Sequence, residues 1–416
     1  MKYQTMLGRK FNNFQTKKER RVKLIFAIIL LVFACFLIVY NNVKPNVFAD
    51  NKVNDNYDIQ SSIDEQLKDL DMTEYEDLVN NLSNAEKNIF NSDSFIDKVK
   101  KLISGEAQVN FSSLFAQVLS VFSTDLLSVL PLIASIIGVG LLSSVITQTS
   151  YTKSSTVSDI VHFVCYGFII TVVFASITEV ISITSSTLSS LKSQMEIGFP
   201  ILLTLMTALG STVSVSVYQP AVALLSGSLM NIFSNFILPL FIFCLVFTVA
   251  GNLSSNIKLN KFSSLFSSIF KWSIGLIFTI FTGFLAVQGI TAGSYDGLSI
   301  RTAKYAMKSY IPFVGSYLSD GMNLILTSSV LIKNSVGMAG LILLFATVIS
   351  PIFKILMLKF ALFLSASILE PICDKRISDF LSKVSKCLSM LIATLCVASF
   401  AYFITVGLIM CTSNVL

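Results

Sequence analysis

The chain reads as an all-α polytopic membrane protein with about six to eight transmembrane helices, re-entrant or broken segments, a tandem repeat and a small exported helical segment near its N-terminus. Three observations predict this. Of 416 residues 53% are hydrophobic and 13% charged, and the mean hydropathy is +0.74, too apolar for a soluble domain. Acidic residues crowd between Asp50 and Glu106, whereas Lys and Arg outnumber Asp and Glu after Gln108. Long uncharged runs are interrupted by proline and separated by small basic clusters. The net charge of +6 therefore describes no single surface, and it is poor grounds for nucleic-acid binding.

Residues 1–49 combine a basic start (Arg9, Lys10, Lys17, Lys18, Arg20, Arg21, Lys23) with an uncharged run from Leu24 to Tyr40. Val47-Phe48-Ala49 has the small-spacer-small form of a signal-peptidase site, so the segment reads as a cleaved secretory signal, with an uncleaved anchor as the alternative. Either way residue 50 emerges outside the cytoplasm. The exported acidic segment, residues 50–122, contains no cysteine, and no disulfide framework is expected there. Thr73-Glu74-Tyr75-Glu76 has the form of a capping box, and Ser94 is placed to cap a helix through Phe95, Val99 and Ile103 that stops at Gly105. So few apolar groups make a marginal core, and these helices are expected to order on contact with a partner or membrane.

Two spans follow within residues 123–190, Leu126 to Thr147 and Ile160 to Ile183, each long enough to cross a bilayer. The second holds His162, the only histidine, which argues against His-metal chemistry and a Ser-His-Asp triad. Glu179 near its end and Glu370 near the end of a later run are candidate intramembrane ionisable groups. Pro200 and Pro312, then Pro239 and Pro351, share one offset, and Lys261-Phe-Ser-Ser-Leu-Phe-Ser aligns with Arg376-Ile-Ser-Asp-Phe-Leu-Ser. This suggests repeat units over 197–290 and 312–416, joined by a polar linker over 291–311. Each unit would hold a proline-broken helix, a basic amphipathic helix at the interface and one clean span. With the basic segments inside, Phe199 to Gly251 must cross an odd number of times, which a re-entrant Pro200 to Val217 followed by one crossing satisfies.

Three stretches stand out as candidate surfaces. Val287 to Gly321 is a polar island between apolar runs, carrying Asp296, Arg301, Lys304, Lys308 and Asp320, and water or protein must surround it. Lys333 with Asn334 interrupts an apolar run, either at a break between half-helices lining an aqueous path or in a polar turn at the surface. Ala208 to Val217 alternates Ser with Val, which suggests an extended or broken element, or else a helix contact made of small residues. Lys354 and Lys359 sit near a helix end, where they would snorkel to the headgroups. No phosphate-cradling loop, dinucleotide turn or nucleophile elbow occurs, so no catalytic, cofactor-binding or metal-ligating residue is expected and an enzyme is improbable.

The blocks Val287-Gln288-Gly289, Asp296-Gly297, Arg301-Thr302-Ala303-Lys304, Ile311-Pro312-Phe313-Val314-Gly315 and Leu331-Ile332-Lys333-Asn334-Ser335-Val336-Gly337 resemble those of the stage III sporulation protein AE family. The resemblance implies a non-enzymatic multipass subunit of the mother-cell membrane around the engulfed forespore. It implies as partners the other membrane proteins of the same operon, its AA to AH components, and indirectly the forespore protein SpoIIQ. A hetero-oligomer in the lipid bilayer follows, with homo-oligomers also open, in a secretion-like channel complex that needs no cofactor and binds no nucleic acid. The alternative from the residues alone is a secondary transporter, because tandem units with broken helices form midplane binding sites.

Overall fold

The computed structural model describes residues 53–92, 94–105, 111–150, 155–253, 259–292, 315–373 and 375–412. The signal segment and the polar linker lie outside the described residues, with Asp296, Arg301, Lys304 and Lys308. Among the described residues every regular element is helical.

Among the described residues four short helices come first: α1 (Val53–Asp69), α2 (Thr73–Asn80), α3 (Asn84–Phe90) and α4 (Phe95–Ile103). The capping box expected at Thr73 does not form, because the Thr73 N–H and hydroxyl both turn back to Asp71 Oδ1. Glu76 instead accepts from the Phe95 and Ile96 N–H groups at 3.0 and 2.9 Å and from the Ser94 hydroxyl at 2.7 Å. One helix thereby caps another, with a carboxylate at the positive end of α4. The reciprocal box falls at Ser83 and Glu86, ahead of α3. Ser94 caps α4 as its position predicts, and Gly105, at φ +73°, ends that segment in the left-handed region. Tyr75, Phe90 and Phe95 stack in the small core.

Six long helical stretches follow that have the length and apolarity to span a membrane. They are α5 (Phe111–Ser150), α6 (Ser155–Ala208), a run from α7 (Thr212–Ala223) through α8 (Met230–Ile232) to α9 (Leu238–Leu253), α10 (Asn260–Ala292), α11 (Gly315–Leu369) and α12 (Lys375–Cys411). Within the third stretch, Leu224–Leu229 and Phe233–Ile237 are π-helical. The α11–α12 hairpin is the most buried pair and the others pack around it. It closes through Ser385 Oγ on the Lys359 carbonyl and Ser378 Oγ on that of Ala366, each at 3.0 Å. At the start of α10, Ser263 reaches the Cys244 carbonyl at 3.4 Å.

Several expectations need correction. Pro200 breaks nothing: it lies inside α6, and Pro351 lies inside α11. Both are tolerated because packed neighbours hold the helix where one N–H is missing. The break comes later, at Leu209 to Ser211, where Gly210 takes φ +75°. After it, the alternating Ser-Val stretch is helical rather than extended, and the Ser216 hydroxyl bonds its own helix at Thr212 and Val213. The break at Gly210 falls within the stretch from Pro200 to Val217 that was expected to be re-entrant or broken. The basic segments are not separate interfacial helices but the first turns of α10 and α12. Lys333 and Asn334 lie within continuous α11, in neither a break nor a surface turn.

The two ends of the bundle differ. Lys261, Lys375, Arg376, Lys383 and Lys386 gather where α10 and α12 begin. The α1–α4 domain packs on the other half of α11 and on α6.

Candidate functional site

Two polar constellations are built where helices converge. The first joins the small domain to the bundle. Tyr75, 1% exposed, inserts between α6, α11 and α12, where its hydroxyl hydrogen-bonds that of Tyr402. Burial raises its pKa well above that of an ordinary tyrosine. Gly198 makes the room, since a Cβ there would overlap the Tyr75 hydroxyl; one on Gly340 would stand 3.5 Å from it, at ordinary contact. Beside this, Gln66 donates to the Ser328 hydroxyl at 2.7 Å and accepts from Ser329 at 2.7 Å. Gln194 of α6 donates to Thr347 of α11 at 2.8 Å.

The second constellation surrounds Lys333, which is fully buried. Its ammonium donates to the carbonyls of Met410, at 3.2 Å, and Thr412. These carbonyls close α12, so a cation sits at the negative end of a helix and satisfies oxygens that have no intrahelical donor. Tyr218 and Thr412 share a hydrogen bond of 3.0 Å, which ties α7 to the same end. Met410 also lies so close to Gly337 that a Cβ there would come within 2.6 Å. Asn334, half-buried, is the next residue of α11.

The remaining candidates are dispersed. Glu179 of α6 pairs with Lys354 of α11 at 3.0 Å with both side chains substantially exposed, so Lys354 has a specific partner besides any headgroup. Asp125 of α5 stands near Lys354 as well. Glu370 lies exposed in the turn after α11, and Asp320 belongs to the first turns of α11. Among the described residues, no three His, Cys, Asp or Glu side chains are placed to hold a metal. Lys98, in the α1–α4 domain, lies over the Phe90 ring at 5.6 Å. Burial, then repulsion from Lys101, pulls its pKa down to about 8.

Sequence reasoning missed Tyr75 as an anchor, Gly198 and Gly340 as its seat, and Asp125. For Asp125 a signal existed, since it is the only carboxylate in the run that becomes α5. For Tyr75 there was only its place on the apolar face of a short helix.

The comparisons with known proteins agree in one direction. The family model described as stage III sporulation protein AE matches residues 94–413. The curated protein named stage III sporulation protein AE from Bacillus subtilis (strain 168) is 27% identical over 262 residues. That alignment takes in 63% of this chain and 66% of the relative, just under two thirds of its length. No solved structure matches.

Proposed function

For a chain that belongs to the stage III sporulation protein AE family, and so has a role in sporulation, we propose the part of a non-enzymatic, multipass subunit of a channel complex that links mother cell and forespore. The α1–α4 domain is exported and faces the space between the two membranes. The basic starts of α10 and α12 face the mother-cell cytoplasm, as the retention of Lys and Arg on that side requires. The partners are the other membrane components of the same operon and, through them, a forespore protein. The observation that carries this reading is the seating of Tyr75 against Gly198, Gly340 and Tyr402, which holds the small domain rigidly on the bundle as a platform for partners. A freely tethered domain would need no such seat.

The transporter reading loses part of its support, because Pro200, one of the two prolines that suggested broken midplane helices, lies inside continuous α6, whereas the other, Pro312, lies outside the described residues. Affinity capture of the tagged full chain from sporulating cells, after mild membrane solubilisation, tests the proposal. Recovery of the operon's other membrane proteins is expected. Their absence from a capture that returns the intact chain would overturn it.

A further inference from the structure

Two of the membrane helices, α10 and α12, run parallel and in register. The Thr248 hydroxyl of α9 lies 2.6 Å from that of Ser263 and 3.6 Å from the Cys387 thiol, so these two residues stand side by side. Further along both helices Phe278 meets Phe400 at 5.7 Å. Each helix carries one lysine just before an uncharged run: Lys271 ahead of Trp272 to Ala292, and Lys386 ahead of Cys387 to Cys411. Either run is long enough to cross a bilayer. Lys271 stands near Cys387, the residue after Lys386, so both lysines belong to one end of the α10–α12 seam.

That end lies at a level where the protein meets lipid. Along α10, Ile269 is 38% exposed before Lys271, and Trp272, Leu276 and Ile280 are 78%, 56% and 64% exposed after it. A cation between exposed apolar side chains is in the lipid zone whichever turn marks the edge of the hydrocarbon. On α12, Ser385 bonds the Lys359 carbonyl of α11, and there the neighbouring Phe360 is 48% exposed. Lys386 is thus level with lipid-facing residues as well. A lysine so placed must reach the headgroups and meet an anion. Lys383 is partly satisfied by Asn252, at 2.7 Å. Lys271 and Lys386 are exposed, and among the described residues neither is in an ion pair. Asp379, also exposed on α12, lies about two turns before Lys386, and Glu370 lies in the turn that precedes the helix.

We propose that this end of the α10–α12 seam binds an anionic phospholipid, with the phosphate between Lys271 and Lys386 and the acyl chains along Trp272, Leu276 and Ile280. The lysines choose an anion, and the apolar residues beside them choose one that carries hydrocarbon. A soluble phosphate would leave Trp272 and Ile280 uncovered, and a zwitterionic headgroup would bring its own cation against the lysines. The site goes beyond the channel reading and stands without it.

Trp272 is the only tryptophan of the chain, so its fluorescence reports on this seam. The full chain is reconstituted in phosphatidylcholine vesicles that contain a minor share of dibrominated phosphatidylglycerol or, in parallel, of dibrominated phosphatidylcholine, and bromine quenching gives the relative affinity of each lipid. Phosphatidylglycerol should be preferred roughly fivefold or more, the worth of one to two lysines at an anionic surface. The double variant Lys271→Gln with Lys386→Gln should lose the preference. Moving the reporter with Trp272→Phe and Leu130→Trp should lose it too, since Leu130 is 49% exposed on α5 beside residues that pack on Met357 and Ala361, level with Lys359 but on another face. No preference at Trp272 would overturn the proposal and leave the seam to a soluble partner. Equal preference at residue 130 would overturn it as accumulation over the whole surface, and preference kept in the double variant would overturn the role of the lysines. Excess inorganic phosphate should leave the quenching unchanged; relief of quenching would assign the site to a soluble anion instead. The unaltered chain and the moved reporter decide the matter even where the double variant fails to insert. No partner is needed in these vesicles, so this inference and the proposed function fail separately.

Discussion

Tyr75 of the small helical domain and Tyr402 of the last membrane helix share a hydrogen bond in a seat where Gly198 leaves room for nothing larger than hydrogen. The contact fixes where a largely acidic domain stands on an apolar bundle. Because Gly198 and Gly340 face one ring from two different helices, the seat exists only when α6 and α11 are packed.

Enlarging the seat residue should therefore release the domain. Gly198→Val is expected to make α1–α4 several-fold more sensitive to protease in intact membranes while membrane abundance is kept. Tyr75→Phe, which removes one hydrogen bond of about 1 kcal/mol, should change it little. Equal behaviour of the two variants would contradict the steric account.

Lys333 is expected to hold the end of α12 closed. Lys333→Met removes the donor to the Met410 and Thr412 carbonyls, a loss of roughly 1–3 kcal/mol for charged hydrogen bonds. The neighbouring Cys411 thiol, already exposed, should react several-fold faster with maleimide as the last turn frays. An unchanged rate would show that the lysine does not cap the helix.

The pH dependence of the small domain follows from Lys98. Its pKa is about 8 when folded against an ordinary value of 10.5, so below pH 8 it is charged in both states and burial opposes folding in full. As pH rises from 8 to 10.5 the folded form sheds the proton first and stability increases. Lys98→Met should stabilise the domain at pH 7 by roughly 1–2 kcal/mol, allowing for solvent screening, with a smaller gain at pH 9.5. Thermal proteolysis midpoints at the two pH values measure this, and an equal gain at both would contradict it.

Glu179 and Glu370 separate a scaffold from a coupled transporter. The Glu179–Lys354 pair is exposed and worth at most about 1 kcal/mol, and Glu370 lies in an exposed turn. Glu179→Gln and Glu370→Gln should leave spore yield near normal. Lost sporulation with normal membrane abundance would point to a coupling carboxylate.

Much of the architecture was legible because it depends on local chemistry. Uncharged runs of sufficient length marked the spans, and Ser94 and Gly105 marked the ends of α4. What sequence could not supply were contacts between distant segments. Lys333 looked like a break or a surface turn because a lysine inside an apolar helix needs an acceptor, and its acceptors lie at Met410 and Thr412. Glu76 looked like the cap of its own helix, yet the free N–H groups of α4 were better placed to receive it. Pro200 looked like the start of a broken helix because the packing that holds the helix through it comes from other helices. The alternation of Ser and Val after Gly210 misled for a different reason: a hydroxyl in an apolar setting bonds its own helix, so it carries little information about period.

The most direct test of the account is the sidedness of the bundle, read with an impermeant thiol reagent on intact cells. It uses vegetative cells that make the chain without a forespore, so that the exported side faces the medium, and single cysteines placed by Asn80→Cys in α2 and Ser264→Cys in α10, both exposed, in a variant lacking the native cysteines. The account predicts labelling at residue 80 from outside and at residue 264 only after the membrane is opened. Labelling of residue 264 in intact cells, or protection of residue 80, would contradict an exported domain seated opposite the cytoplasmic basic ends.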